Sequence, residues 1–141
     1  MSSPRRAPVP SDDVREGQIF WLADCPSLEG DVMKTRPIVV IHPQPFIDRG
    51  DDPLMAIAIS TSVTLASSPD RVKVPNRQEN PGCSTNLPVP CWAVPKWHIL
   101  VQRAHLIDRA GYANGRLLKR VRDAAMARLA QEDAQDRPRS I

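Results

Sequence analysis

The sequence predicts a mainly β domain, four or five short antiparallel strands bent into a small barrel with one amphipathic C-terminal helix packed on it. Two observations carry this. Short β-branched and apolar runs recur between segments rich in turn formers, with 15 prolines and 6 glycines in 141 residues, as short strands joined by loops require. Beyond Gly111 the period changes, and Leu117, Leu118, Val121, Ala125 and Leu129 recur every three or four residues along one helical face.

Residues 1–15 are rich in proline, serine and charge and are expected to form a flexible tail. A barrel domain over 16–130 follows, and then a polar C-terminal tail over 131–141. Gly17-Gln18-Ile19-Phe20-Trp21-Leu22 reads as the first strand. Residues 24–33 hold too many turn formers for an element and are too long for a tight hairpin, so they read as a functional or flexible loop. In the second strand, Lys34-Thr35-Arg36-Pro37-Ile38-Val39-Val40-Ile41, Pro37 pushes Arg36 toward extended geometry and is tolerated only at a strand's first residue or edge. Arg36 is therefore expected at a rim.

Pro43, Pro45, Gly50 and two adjacent aspartates mark 42–53 as an exposed connection. Residues 55–62 form a third strand ending in the hydroxyls Ser60, Thr61 and Ser62. Arg71-Val72-Lys73-Val74-Pro75 alternates as a half-buried fourth strand does, and its proline ends it. After a third loop over 76–90, Cys91-Trp92-Ala93-Val94 gives a short buried strand, followed by a final extended piece at 97–101. Asn114 suits the N-cap of the helix, and Pro138 lies beyond its end.

A chain of 15.7 kDa fits one domain with room for a core. A net charge of +3, from 19 basic and 16 acidic residues, is compatible with a nucleic-acid or acidic protein partner but is not a strong signature of either. Cys25, Cys83 and Cys91 form no C-x-x-C pair, and an odd count leaves one unpaired in any disulfide scheme, so a reducing cytoplasm is the simplest home. Arg5 and Arg6 are followed by a proline-rich polar stretch rather than an export sequence, and nothing approaches the roughly 20 apolar residues of a membrane span.

Three stretches, Gly17-Gln18-Ile19-Phe20-Trp21, Thr35-Arg36-Pro37-Ile38-Val39-Val40 and the hydroxyls after Ile59, come in order before Cys91-Trp92-Ala93-Val94, Gly111 and the terminal helix. In that order and spacing the chain resembles the MazF/PemK toxin family over about 17–129. The resemblance implies an SH3-like barrel that forms a homodimer in the cytoplasm. It also implies the toxin of a type II toxin–antitoxin system, a metal-independent endoribonuclease that cuts single-stranded RNA without a cofactor. Its partners would be RNA, a cognate antitoxin, and operator DNA only together with that antitoxin.

Such cleavage needs a base for the 2′-hydroxyl proton, an acid for the leaving 5′-oxygen, and donors or cations for the phosphorane charge. Arg36 suits the last role, because its planar fork matches phosphate oxygens; read alone, it is as well an exposed or ion-paired arginine beside a strand. The resemblance makes Arg36 functional and assigns Thr61 to the scissile phosphate, with Ser60 and Ser62 beside it and Lys34 as a further substrate contact. Three hydroxyls in a row leave that register open by one residue, and capping of their own turn is the alternative.

The family's best-studied branch supplies acid and base from an arginine and an aspartate two residues apart, where this chain has Val94 and Lys96. Lys96 could donate to the phosphorane, and His98, two residues on, is the best placed imidazole to replace the pair. The histidines and cysteines have no metal-ligand spacing. Asp24 reads as a solvated loop carboxylate or a base. Arg116, Lys119, Arg120, Arg122 and Arg128 form a basic helix face, with solvation as the first reading and phosphate or antitoxin contact as the second. Trp92 is expected in the core, while Trp97 is open between core and base stacking. Without the arginine and aspartate, the alternative is a catalytically weak or inactive module of the same fold that binds an antitoxin and nucleic acid.

Overall fold

Six antiparallel strands form one curled sheet, an open half-barrel, in a computed structural model that describes residues 14–27, 33–62 and 68–136. The strands are β1 (Gln18–Pro26), β2 (Met33–Val40), β3 (Leu54–Ser60), β4 (Val72–Val74), β5 (Cys91–Val101) and β6 (Leu106–Tyr112), in the order β4-β5-β3-β2-β1-β6. A short helix α1 (Gln44–Asp48) follows β2, one 3-10 turn (Arg103–His105) precedes β6, and α2 (Gly115–Asp136) closes the described chain. Most of the expected tails, and Pro138, lie outside the described residues.

The sheet is buried on both faces, which is why its central strands read as continuous apolar runs. Phe20, Leu22, Ile38, Val40, Ala56, Ala58, Val94, Trp97 and Leu106 fill one face, together with Ile47 of α1 and Val14. Ile19, Val39, Ile41, Ile57, Ile59, Val72, Val74 and Cys91 fill the other, against Leu117, Val121 and Ala125 of α2. At about 25 cal/mol per Å² each of the larger aliphatic and aromatic side chains among them contributes roughly 1.5–3 kcal/mol.

Several elements differ from the sequence expectation. β1 continues through Asp24 and Cys25 to Pro26, because a bulge between Leu22 and Cys25, with Asp24 at φ 53°, carries the strand past its polar residues. The two pieces expected at 91–94 and 97–101 are one strand, and Leu106–Tyr112 is a sixth strand that polar Asp108 and Arg109 concealed. The 42–53 connection contains α1, started by Pro45 in its first turn. Val14 is buried, so the packed chain begins inside the expected tail, and α2 runs on past Gln131 to Asp136.

Local chemistry fixes the connections. Asn114 caps α2 as expected, its Oδ1 accepting the Leu117 N–H at 2.9 Å. Ion pairs from Arg128 to Asp70 at 3.0 Å and from Arg122 to Glu16 tie the helix to the barrel. In the 42–53 connection the His42 Nδ1 accepts the Met55 N–H at 3.2 Å and its Nε2 meets Asp51 at 2.8 Å. The loop after β4 touches β6, where Tyr112 N–H donates to the Ser84 carbonyl and the Ser84 hydroxyl to that of Tyr112, both at 2.9 Å.

Candidate functional site

A cleft of about 650 Å³ opens where β2 begins and β3 ends. Lys34, Thr35, Arg36 and Pro37 of β2 form one side, and Ile59, Ser60, Thr61 and Ser62 another. Trp21 and Ser27 close it toward β1, and Leu87, Pro88 and Val89 of the loop before β5 form a wall with Cys91. Four segments distant in sequence thus meet because the sheet order sets β2 between β1 and β3.

Strand parity sorts these residues. Ile38 pairs with Ala58 across β2 and β3, and continuing that register by two residues sets Arg36 opposite Ser60. Both start from the face that holds Ile38, Ala58 and Trp97, whereas Thr35, Pro37, Ile59 and Thr61 start from the face of Val39 and Ile57. The Arg36 guanidinium lies 5.1 Å from the Trp97 ring centroid, and its Nε donates a long hydrogen bond to the Cys25 carbonyl at 3.4 Å. Ser60 is buried, and its Oγ accepts the Ser62 N–H at 3.0 Å, a local turn of the kind hydroxyl residues form. Thr61 and Lys34 are exposed.

The described lining carries two cationic side chains, five hydroxyls and one thiol, and neither carboxylate nor imidazole. Burial pushes the Cys91 thiol up to about 11, against the opposing pull of Lys73, so it stays protonated at neutral pH and is no nucleophile. Burial likewise raises the Cys25 thiol, despite Arg36 beside it. All three cysteines are free. Among the described residues no three His, Cys, Asp or Glu side chains cluster as a metal site. The arrangement suits a polyanion that brings its own nucleophile.

The remaining candidates, and the other two histidines, lie elsewhere. Lys96 and His98 do not line the cleft, and the His98 Nε2 is joined to Glu132 of α2 at 2.7 Å. His42 uses both ring nitrogens within its connection, and His105 is exposed on the 3-10 turn. Asp24 is exposed at the β1 bulge, outside the cleft. Trp97, left open by the sequence, is 2% exposed in the core, while Trp92, expected in the core, is half-buried under the Lys73 ammonium, 4.4 Å from its ring. On α2, Lys119 pairs with Asp123 at 2.7 Å, alongside the bridges of Arg122 and Arg128, which leaves Arg116 and Arg120 exposed.

Sequence reasoning missed Trp21 and the wall at 87–89. Parity along the first strand sets Trp21 on the same face as Ile19, a signal that was there to read. The wall had none, since contacts between distant segments bring it to the cleft, the loop with β6 through Ser84 and Tyr112 and the Leu87 carbonyl with the Arg77 N–H at 2.7 Å.

Residues 15–129 match the family described as PemK-like, MazF-like toxin of type II toxin-antitoxin system. No curated protein matches the sequence. Among solved structures, the chain is similar to MazF from Deinococcus radiodurans in its Form-I crystal, with TM-score 0.60, 17% identity, and 81% of this chain and 94% of that one covered. It is also similar to an endoribonuclease from Mycobacterial species, with TM-score 0.58, 13% identity and 82% and 89% covered. A MazE-MazF structure from D. radiodurans in Form-II gives TM-score 0.54 at 16% identity, covering 81% and 91%. At such identities the likeness is one of fold.

Proposed function

Because the chain belongs to the PemK-like, MazF-like toxin family over residues 15–129, we propose that it is the toxin of such a pair and cuts single-stranded RNA in the β2–β3 cleft. The observation that carries this reading is the composition of that cleft, cations and hydroxyls with no carboxylate in the described lining. Such a lining attracts a phosphodiester and repels none of its charge. The described lining also lacks the carboxylate and imidazole side chains that usually anchor a catalytic metal, which favours a metal-independent route.

In this mechanism the RNA 2′-hydroxyl oxygen gives up its proton as it bonds to the adjacent phosphorus, the P–O5′ bond breaks and the 5′-oxygen takes up a proton, so that one proton moves net from O2′ to O5′ and a 2′,3′-cyclic phosphate results. The Arg36 fork stabilises the dianionic phosphorane, and Lys34 holds a flanking phosphate. Ser60, which the register sets opposite Arg36, is the hydroxyl that orients the scissile group, and Thr61 and Ser62 contact the neighbouring nucleotide. Lys96 and His98 have no direct part, given their positions outside the cleft.

The partners follow the same reading. The MazE-MazF structures among the similar folds support an antitoxin partner, and an acidic segment of it would suit the cationic cleft. The exposed edges β4 and β6 need cover, which favours a two-fold homodimer. A concentration-independent 15.7 kDa species in sedimentation would overturn that assembly.

The test is RNA cleavage in excess chelator. Cyclic-phosphate product, a resistant 2′-deoxy substrate, and loss of activity in Arg36→Ala with a stability change of only about 1 kcal/mol are expected. Chelator-sensitive cutting would refute the mechanism. The lack of any base in the described lining favours a second reading, an inactive binding module. RNA binding without cleavage by the folded protein would establish it.

A further inference from the structure

The cleft reading assigns a task to Arg36 but leaves open what holds its side chain. An arginine has four rotatable bonds between backbone and fork, so a phosphate ligand built on it loses affinity to side-chain ordering unless something fixes it beforehand. The Nε hydrogen bond to the Cys25 carbonyl is 3.4 Å long, a weak restraint by itself.

The second restraint is Trp97. β5 pairs Ala93 with Ile59 and His98 with Ile57, so four residues, 94–97, stand against Ala58 alone. This bulge sets Trp97 into the core among Phe20, Leu22, Cys25 and Ile38, 2% exposed, with the Arg36 guanidinium 5.1 Å from its ring centroid. Packing alone does not account for an indole here. Its buried Nε1–H has no hydrogen-bond partner among the described residues, and a phenylalanine or leucine would fill much of this space without that penalty. The ring's electron-rich face is what an aliphatic side chain lacks, and within about 6 Å it attracts a cation.

We propose that Trp97 is a positioning residue for RNA cleavage: its buried ring pre-orients the Arg36 guanidinium, with the fork end directed to the scissile phosphate. The inference rests on the cleavage reading above and adds to it a group that touches no substrate. Because the ring fixes Arg36 before RNA arrives, its loss shows in the step where phosphorane charge develops more than in substrate binding.

The experiment compares Trp97→Phe with Trp97→Leu, each alone and with Arg36→Ala, in single-turnover RNA cleavage with melting curves alongside. Trp97→Phe keeps a ring and is expected to retain cleavage within about threefold, with equal or better stability once the orphan N–H is gone. Trp97→Leu is expected to fold and to lose about tenfold or more in kcat at nearly unchanged KM. In the Arg36→Ala background it should lose nothing further. Equal loss in both variants, or a further loss without Arg36, would make Trp97 merely structural and overturn the proposal. A second readout does not depend on turnover: the Arg36 Nε–H proton resonance should be shifted upfield by the ring, remain so in Trp97→Phe, and return to its ordinary position in Trp97→Leu. An ordinary position already in the wild-type protein sinks the inference even if RNA is cut. An upfield position with no cleavage leaves the positioning intact and refutes the nuclease reading instead.

Discussion

Gly111→Ala is the substitution for which the structure sets the cost most directly. A Cβ there would stand 2.1 Å from the Ser84 carbonyl oxygen and 2.6 Å from that of Thr85, both backbone atoms with no rotamer to yield. The nearer contact is about 1.3 Å short of ordinary packing at 3.4 Å, so β6 and the loop must part. Parting breaks the reciprocal Tyr112–Ser84 hydrogen bonds, about 1 kcal/mol each, and overpacking adds roughly 1–3 kcal/mol. The expected loss is about 3–5 kcal/mol, or roughly 10–15 °C in melting temperature for a domain of this size. Urea unfolding followed by tryptophan fluorescence measures it. The same loop leads to Leu87 and Val89 of the cleft wall, so RNA affinity should fall as well. A loss below about 0.5 kcal/mol would refute the reasoning, since the loop would then be free to retreat.

Asn114→Ala removes the α2 cap and should cost about 1 kcal/mol in urea unfolding, while Asn114→Asp restores most of it. Asp51 is held down to about 2 by hydrogen bonds from Arg49 and then His42. A depressed carboxylate contributes stability above its unfolded value of 3.8 that is lost as pH falls through about 2. The stability advantage of wild type over Asp51→Asn should therefore shrink between pH 4 and 2, and a gap independent of pH there would contradict this. His98→Ala should leave RNA cleavage within about threefold and cost on the order of 0.5 kcal/mol, because a partly exposed partner of Glu132 is all that is removed. A collapse of activity at unchanged stability would return His98 to the chemistry.

The local sequence determined what depends on neighbours along the chain. Asn114 and the 3.6-residue period set the helix, and the order of short motifs carried the family, whereas Pro37, expected at a strand's first residue or edge, lies inside β2, paired with Trp21 on one side and just past the β2–β3 ladder that stops at Ile38 on the other. Strands were legible where β-branched residues dominate and illegible at Leu106–Tyr112, whose polar residues are tolerated because β6 is an edge. Lys34, Arg36 and the hydroxyls were grouped by the family resemblance, and they do meet at one cleft, where β2 begins and β3 ends.

Pairing across the sheet decided the rest. One residue of slip exchanges the two faces, so only the Ile38–Ala58 register could set Ser60, rather than Thr61, opposite Arg36. Trp97 under Arg36, and His98 spent on Glu132, likewise follow from a bulge in β5 and the docking of α2, contacts between residues 61 and 34 positions apart. Local periodicity and spacing carry no signal for such distances, because the free energy that fixes them comes from burying both faces of the sheet at once.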